Sequence, residues 1–333
     1  MGEVVIRILA AVAAFCLLPA APAHAAADDE PRRLFTFQDP AITESSGLAV
    51  SPTHDDVYYT HNDSAAAPTF YAVDGKGRTL ATYQVRGAEA RDWEAMAASR
   101  DAEGRGVLWF ADIGDNLNGA WPDISVYKVM EPRRLSDATL PATRYRFRYA
   151  DGARNAEGIM VEPDTGRLYV VSKEFAGSVY AAPKRLRSDR VNVLRKVASA
   201  PLMATDAAYA PDGSSYVIRT YFSATLYRPS GELITKVTMP DLQQAESIAY
   251  TRDGKALLAG SEGPRSPVYR VPIPERALPT PKPSPVRAEK EPVADAEDVA
   301  SESAGLTATD VLVWLAVAVG AIGVITFLAR RTR

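Results

Sequence analysis

The sequence is nearly without cysteine and histidine. Its one cysteine is Cys16, and its three histidines are His24, His54 and His61. A single cysteine cannot build a disulfide framework, and so few thiols and imidazoles argue against a zinc site. A Ser-His-Asp triad would have to use one of these histidines, so nucleophilic hydrolysis has little support.

A strong charge of one sign and the glycine-rich cofactor motifs are also lacking. The formal net charge is −3 over 333 residues, which gives no reason to expect a nucleic acid as a partner. The sequence has no G-x-S-x-G nucleophile elbow, no Walker loop and no dinucleotide-binding glycine fingerprint. The enzyme classes built on these motifs are therefore not indicated, whereas chemistry that needs only carboxylates and a cation stays open.

Long apolar runs occur near the two ends of the chain. Ile6–Leu18 is apolar except for Arg7, and Ala23-His24-Ala25 follows it, as is typical of a secretory signal and its cleavage site. Val311–Ala329 has no charged residue, and at about 1.5 Å per residue it matches a hydrocarbon core of about 30 Å. We therefore predict a signal peptide over residues 1–26 and a transmembrane helix over residues 308–329.

The charges around the second run predict its orientation. The tail at 330–333 is basic, and positive charge stays on the cytoplasmic side of a membrane. Residues 275–307 are rich in Pro, Glu, Lys and Ala, a composition typical of an extended, disordered linker. We expect a single-pass protein of the cell membrane, with its C-terminus in the cytoplasm and an extracellular domain at 33–274. The C-terminal helix makes the membrane a partner.

A four-part pattern recurs five times within residues 33–274. Each unit has a short apolar stretch with an acidic residue or a substitute, then an Asp/Gly turn, a second apolar stretch and a stretch centred on tyrosine. The first stretches read ESSGLAV, DWEAMAA, NAEGIMV, ATDAAYA and QAESIAY. Repeats of about 40–50 residues with four strand signals each predict an all-β fold, a β-propeller.

The fourth strand signal bears on the number of blades. Four of the units carry such a signal after the tyrosine stretch, and the last unit does not. The stretch Leu34–Gln38 lies ahead of the first unit and would supply the missing strand, closing the ring. We therefore predict five blades. Six blades, with a degenerate repeat hidden between Glu94 and Glu157, is the alternative.

Alignment of the first strands on their turns brings polar residues into register. One position is occupied by Ser46, Glu94, Glu157, Thr205 and Glu246. Because residues two apart share a face of a strand, a second layer lies two residues earlier, and one aspartate in the fourth unit lies one position off. The innermost strands of a propeller border its central channel. The candidate metal ligands are Glu44, Asp92, Glu94, Glu157, Asp206 and Glu246.

Several carboxylates around one axis would repel one another. Two of them about 6 Å apart repel by about 2.8 kcal/mol at an effective dielectric constant of about 20, which favours a bound cation. Ca²⁺ accepts an irregular set of oxygen ligands more readily than Mg²⁺ does, so we expect Ca²⁺ as the cofactor. The alternative is that these acids accept backbone hydrogen bonds between blades.

Polar residues also follow the second strands. In an up-and-down blade the loop before strand one and the loop after strand two emerge on the same face, so these residues and the acidic layers should meet in one funnel. The acids suit a metal, whereas Lys173 and Arg219 suit an anion such as phosphate or carboxylate. The candidate ligand-binding residues are Asn62, Asp63, Asp112, Asp115, Asn116, Lys173, Glu174, Arg219, Tyr221 and Glu262.

Three stretches carry a resemblance to known propellers: QDPAITESSGLAVSP, AEGIMVEPDTGRLYVVSKE and AESIAYTRDGKALLAGSEG. They resemble secreted bacterial propellers of the phytase-like, esterase-like and gluconolactonase-like kind, and five blades with axial glutamates look like the calcium-dependent apyrases. The resemblance implies an axial Ca²⁺ and action on phosphate esters or lactones. Phytases and gluconolactonases have six blades, which departs from the five units of this sequence.

Two functions follow from these observations. The first is a cell-surface binding module whose funnel engages an extracellular protein or an anionic small molecule. The alternative is a Ca²⁺-dependent hydrolase of phosphate esters or other esters. The sequence favours the binding module because it carries no strong catalytic signature.

Overall fold

The computed structural model describes residues 30–63, 67–117 and 119–279. These residues form twenty β-strands and one short 3-10 helix at Glu275–Ala277, so the described part of the chain is all-β, as predicted. No helix within it is long and apolar enough to cross a membrane. The predicted signal peptide, transmembrane helix and basic tail, and the predicted linker beyond residue 279, lie outside the described residues.

The strands pair in groups of four. The first group comprises β2 (Ser45–Val50), β3 (Val57–Asn62), β4 (Thr69–Asp74) and β5 (Thr79–Arg86). The second comprises β6 (Trp93–Arg100), β7 (Gly106–Asp112), β8 (Ile124–Met130) and β9 (Ala138–Tyr149). The third comprises β10 (Ala156–Val161), β11 (Leu168–Ser172), β12 (Ser178–Ala181) and β13 (Asn192–Ser199).

The last two groups follow the same plan. The fourth comprises β14 (Ala204–Tyr209), β15 (Tyr216–Thr220), β16 (Ala224–Tyr227) and β17 (Leu233–Val237). The fifth comprises β18 (Ile248–Tyr250), β19 (Ala256–Ala259), β20 (Pro267–Pro272) and the strand that begins the described domain, β1 (Arg32–Thr36). In this group β1 pairs antiparallel with β20, Arg32 opposite Arg270 and Thr36 opposite Pro267. The N-terminal strand thus completes the last group, as the sequence predicts.

Within each group the strands run antiparallel in chain order. The outer strand β9 is long enough to pair in parallel with β5 at one end and with β13 at the other. The first strands contact one another in sequence, β2 with β6, β6 with β10, β10 with β14, β14 with β18, and β18 again with β2. The sheets therefore form a closed ring, the arrangement of a β-propeller.

Tight turns join the first and second strands on one face of the ring. Gly213 and Gly254 have φ of 70° and 69°, a left-handed conformation that a side chain disfavours. Each follows an aspartate in the turn after a first strand. These turns lie on the face opposite to the one where the first strands begin, so the loops before the first strands and after the second strands share the other face.

The core lies between neighbouring groups. The first and second groups pack through buried aromatic rings, with Phe70 of the first group 4.8 Å from Phe110 of the second between centroids. His61 is fully buried and meets Trp93 edge-on. Burial of such rings stabilises each contact between groups and holds the inner strands in place.

Candidate functional site

The polar residues that the sequence alignment places at one position of the first strands lie at a β-bulge in four of the five groups. In β2, β6, β10 and β14 the ladder to the second strand skips one residue. The skipped residues are Ser46, Glu94, Glu157 and Thr205. A bulged residue has no partner across the sheet, and a bulge re-aims its side chain. The same local irregularity therefore repeats at the start of each of these first strands.

The aligned side chains are buried. Glu94, Glu157 and Glu246 have exposed fractions of 5%, 3% and 7%. A carboxyl group at such a depth either keeps its proton or, when ionised, needs a cation or a hydrogen-bond donor beside it. The loops around these first-strand starts, with the loops after the second strands, form what we call the channel mouth.

Three carboxylates converge on one side of the channel mouth. An oxygen from each of Asp63, Asp92 and Glu94 lies within 4.8 Å of the others. Asp63 follows β3, whereas Asp92 and Glu94 lie at the start of β6, so the first two groups build this site together. We call these three residues the acidic corner. Of the predicted candidates, Asp92 and Glu94 come from the metal set and Asp63 from the ligand set.

Gly114 provides the space beside the acidic corner. A Cβ at this position would collide with the carboxylates of Asp92 and Glu94. The backbone N–H groups of Ile113 and Gly114 donate to the carbonyl oxygen of Asp92 at 3.2 and 3.3 Å, which holds the loop after β7 against this position. The close approach of that loop therefore depends on glycine.

Lys173 bridges the other two buried glutamates. Its ammonium forms a salt bridge with Oε1 of Glu157 and donates a hydrogen bond to the Tyr221 hydroxyl at 2.7 Å. Tyr221 in turn is hydrogen-bonded to Glu246. The second oxygen of Glu157, Oε2, is buried and has no hydrogen-bond partner among the described residues. The bridge therefore leaves one buried carboxylate oxygen unsatisfied beside Glu94.

Burial and mutual repulsion raise the pKa values of the acids in the channel mouth. Burial raises the pKa of Glu94, and the charges of Glu157 and Asp63 raise it further. Burial also raises the pKa of Glu157 and of Glu246, although Lys173 opposes both shifts. Glu262 has its pKa raised to about 7 by burial and then by neighbouring acids, chiefly Glu246. A cation in the channel mouth would favour the charged forms of these acids.

Several of the other predicted ligand-binding residues hold the loops in place. The Asn62 side chain accepts hydrogen bonds from the backbone N–H groups of Thr43 and Glu44 at 3.1 and 3.2 Å. Asp112 accepts a bond from the N–H of Asp92 at 2.8 Å. Asp115 accepts bonds from the N–H groups of residues 120 and 121 at 3.1 and 2.9 Å. These side chains are therefore already engaged with backbone.

The remaining candidates lie at the edges of the channel mouth. Glu44 and Asn116 are exposed, and Asn116 accepts a hydrogen bond from Asn155 at 3.1 Å. Glu174 forms an ion pair with Arg154 at 3.3 Å. Glu262 is half-buried and accepts a hydrogen bond from Gln244 at 3.1 Å.

Asp206 and Arg219 lie between the fourth and fifth groups rather than in the channel mouth. Asp206 is fully buried and accepts hydrogen bonds from the N–H groups of Ala207 and Ile248, both at 2.7 Å. Arg219 is 1% exposed and donates to the carbonyl oxygens of Ser247 and Gly260. Asp206 thus has the role that the sequence left as the alternative, a backbone acceptor between blades. Arg219 is too deep to meet an anion from solvent.

The opposite end of the channel has a different character. A cavity of about 480 Å³ is lined there by the far ends of all five first strands. The lining is largely apolar and includes Leu48, Met96, Val161, Tyr209 and Tyr250. Asp164 is the one carboxylate among these lining residues, so the acidic channel mouth is the better candidate for a cation site.

Some features of the site were not foreseen from the sequence. The repeated bulge has no composition signal, because small and acidic residues occupy it alike. Two exposed phenylalanines, Phe175 and Phe222, stand beside the channel mouth, with exposed fractions of 88% and 91%. The sequence does carry a signal for these two residues, since each follows a polar second-strand end in SKEF and RTYF.

Comparison with known proteins finds similar solved structures but no matching family. No family model matches the chain, and no curated protein matches it. Among solved structures, the chain is similar to U3-55K, with 10% identity, 73% of this chain and 98% of that chain covered, and a TM-score of 0.41. It is also similar to the WD40 repeats of RRP9, with 9% identity, 74% and 98% covered, and a TM-score of 0.41. The resemblance to phytase-like, esterase-like and gluconolactonase-like propellers stays a prediction.

Proposed function

We propose that the chain is a five-bladed β-propeller that serves as a binding module, with a divalent cation at the acidic corner of its channel mouth. In this proposal each four-stranded group is one blade, and β1 completes the fifth. The observation that carries it is the convergence of the Asp63, Asp92 and Glu94 carboxylates within 4.8 Å. Three such groups do not share a half-buried site without a proton or a cation between them.

The chemistry of the corner favours Ca²⁺. All three groups offer oxygen, the ligand type of hard cations, and they come from a loop, a strand entry and a bulge rather than from a regular octahedral frame. Ca²⁺ tolerates such irregular sets, whereas Mg²⁺ demands near-ideal octahedral geometry. The unsatisfied Oε2 of Glu157 is a further acceptor beside Glu94.

The state of Lys173 favours a binding module over the hydrolase alternative. In a hydrolase of phosphate esters, a basic side chain next to the metal would help to hold the anionic substrate. The Lys173 ammonium is already engaged by Glu157 and Tyr221, and Arg219 is buried between two groups. Neither cation is therefore available in its present position for a phosphate.

The proposal includes display at the cell surface. The propeller would stand outside the cell membrane, joined by the predicted linker at 275–307 to the predicted helix at 308–329. The charge-free run and the basic tail that follows it support this. Protease added to intact cells should remove the propeller from the surface, and a propeller that stays protected until the cells are lysed would contradict the display.

The cation is tested by thermal unfolding of the purified full-length chain with EDTA and with Ca²⁺. At a Ca²⁺ concentration about 100 times Kd, we expect a stabilisation of about 2.7 kcal/mol, or a Tm rise of roughly 5–10 °C. Glu94→Gln and Asp92→Asn should abolish the rise. Glu232→Gln, a change at an exposed glutamate on the outer edge of the fourth group, should keep it.

The same samples discriminate between the two functions. Phosphate release from a panel of phosphate esters that requires Ca²⁺ and fails in Glu94→Gln would favour the hydrolase. A Ca²⁺-dependent Tm rise without turnover would favour the binding module. A Tm that does not respond to Ca²⁺ in the unaltered chain would remove the cation from the proposal.

A further inference from the structure

Four large apolar side chains stand exposed around the channel mouth. Leu117, Phe175, Leu202 and Phe222 have exposed fractions of 65%, 88%, 61% and 91%. Each lies in a loop after a second strand or before a first strand, in the second to fourth groups. We call these four residues the apolar rim. Exposed apolar side chains gathered on one face of a protein mark an interaction surface more often than chance exposure does.

The apolar rim is continuous with the polar channel mouth because the same short loops carry both. Phe175 is two residues after Lys173, and Phe222 directly follows Tyr221. The Thr220 hydroxyl accepts hydrogen bonds from the N–H groups of Phe222 and Ser223 at 3.3 and 3.1 Å. This tight turn holds Phe222 toward solvent. The exposed ring is thus held in place, as is typical of an anchor in an interface.

The acidic side chains beside the apolar rim indicate which kind of partner would bind there. The acids of the fifth group, Glu246 and Glu262, lie next to the fourth group around the ring, and the one lysine close to them, Lys173, is paired with Glu157. Burial, and then the charges of Glu246, Asp63 and Glu44, raise the pKa of Glu262 to about 7. Negative charge therefore predominates around Glu262, beside the apolar rim, and attracts a cationic group.

We propose that the channel mouth binds an extended segment of another protein, in which a lysine or arginine enters at Glu262 and flanking apolar side chains pack on Phe175 and Phe222. This inference rests on the proposed binding function and adds the chemistry of the partner. Aromatic anchors beside a charged pocket are the usual composition of such interfaces. The Ca²⁺ would lie on side chains of the first two groups, whereas Glu262 belongs to the fifth.

Charge also argues against two other occupants of the apolar rim. An anionic membrane surface would be repelled by the acids of the channel mouth. A second copy of this chain, docked mouth to mouth, would bring like charges together.

The test uses three pools of synthetic heptapeptides on arrays, probed with the full-length chain in Ca²⁺. The first pool has a central lysine with leucine, phenylalanine, isoleucine or valine around it. The second replaces the lysine with glutamate, and the third replaces the apolar residues with serine or asparagine. We expect binding to the first pool alone, and binding that weakens as salt is added.

Variants locate the contact. Phe175→Ser and Phe222→Ser should each weaken binding to the first pool about tenfold, as expected for aromatic anchors, and Glu262→Gln should weaken it and reduce its salt dependence. Leu80→Ser changes a residue that is also exposed, at 40%, on the outer strand β5, and should leave binding unchanged. Equal binding by the two Phe variants and the unaltered chain would overturn the proposal.

Other outcomes separate this inference from the proposed cation site. A Ca²⁺-dependent Tm rise without binding to the first pool overturns the peptide partner and leaves the cation site standing. Peptide binding with the expected variant pattern, in a chain whose Tm does not respond to Ca²⁺, supports the partner and removes the cation. Binding to phosphatidylserine vesicles that depends on Phe175 and Phe222, without peptide binding, assigns the apolar rim to a membrane instead.

Discussion

At the scale of single residues, the acidic corner depends on the space beside Gly114. A methyl group there would meet the carboxylates of Asp92 and Glu94. We therefore expect Gly114→Ala to abolish the Ca²⁺-dependent rise in Tm, while the EDTA-treated protein loses about 1 kcal/mol or less, because the carboxylate ends can turn away. Thermal unfolding with and without Ca²⁺ measures both effects.

Gly152→Ala is the matched control for this change. Gly152 has φ of 107° and no atom close to where its Cβ would be, so alanine there is expected to cost backbone strain of about 1 kcal/mol or more. It should lower Tm and keep the full response to Ca²⁺. If Gly114→Ala also kept that response, the carboxylates would not need their present positions to hold the ion.

At the scale of elements, Asp206 and Arg219 join the fourth and fifth groups. Asp206→Ala removes the acceptor of two buried N–H groups and the charge opposite the buried Arg219 guanidinium. We expect a loss of about 3 kcal/mol in the free energy of unfolding, measured by urea denaturation. Asp241→Ala, at an exposed position, should cost less than about 0.5 kcal/mol. Equal costs for the two variants would show that the buried bonds contribute little.

The strand β1 is the second element with a testable role. Without residues 30–36, β20 would expose an unpaired edge, and Phe35 would no longer fill its buried place beside Val268. We expect a lower Tm and concentration-dependent self-association, because open strand edges pair with other chains. Size-exclusion chromatography with light scattering detects this. A monomer with an unchanged Tm would mean that the pairing of β1 with β20 contributes little to the stability of the ring.

At the scale of the whole molecule, the buried acids make stability depend on pH. A carboxyl group whose pKa is higher in the folded than in the unfolded protein binds more protons when folded, so stability falls as pH rises through that interval. For Glu262 the interval runs from the ordinary value of 4.5 to about 7, and for Glu94 it extends higher. Burial lowers the pKa of His61 from 6.5 to about 4. This residue therefore makes stability rise with pH between these two values, opposite to the acids.

We therefore expect the EDTA-treated protein to lose stability between about pH 6.5 and pH 8. This range lies above the ordinary pKa of His61, so the buried acids determine how stability changes with pH. Ca²⁺ should reduce this loss, because the ion stabilises the charged forms at the acidic corner. Urea denaturation midpoints across this range provide the measurement. A midpoint that rises with pH without Ca²⁺ would contradict the raised pKa values.

Much of the fold could be predicted because its signals are local. Alternating apolar residues and Asp/Gly turns predict the strands, and the missing fourth strand of the last unit predicts the role of Leu34–Gln38. The site was harder to predict, because a bulge shifts the register by one residue without a mark in composition. Arg219 illustrates this difficulty. It lies at the end of a second strand, as Lys173 does in the third group, yet its carbonyl partners come from the next group, which only the tertiary packing reveals.

The pairing of Arg32 with Arg270 in β1 and β20 also has a kinetic consequence. Every other strand pair in the described residues joins segments much closer together along the chain, and contacts between distant segments carry the largest entropic cost of loop closure. The groups of hairpins should therefore form early, and ring closure should be the last, slowest step of folding. An interrupted refolding reaction should accumulate molecules whose hairpins protect their amides from exchange while those of β1 and β20 still exchange freely.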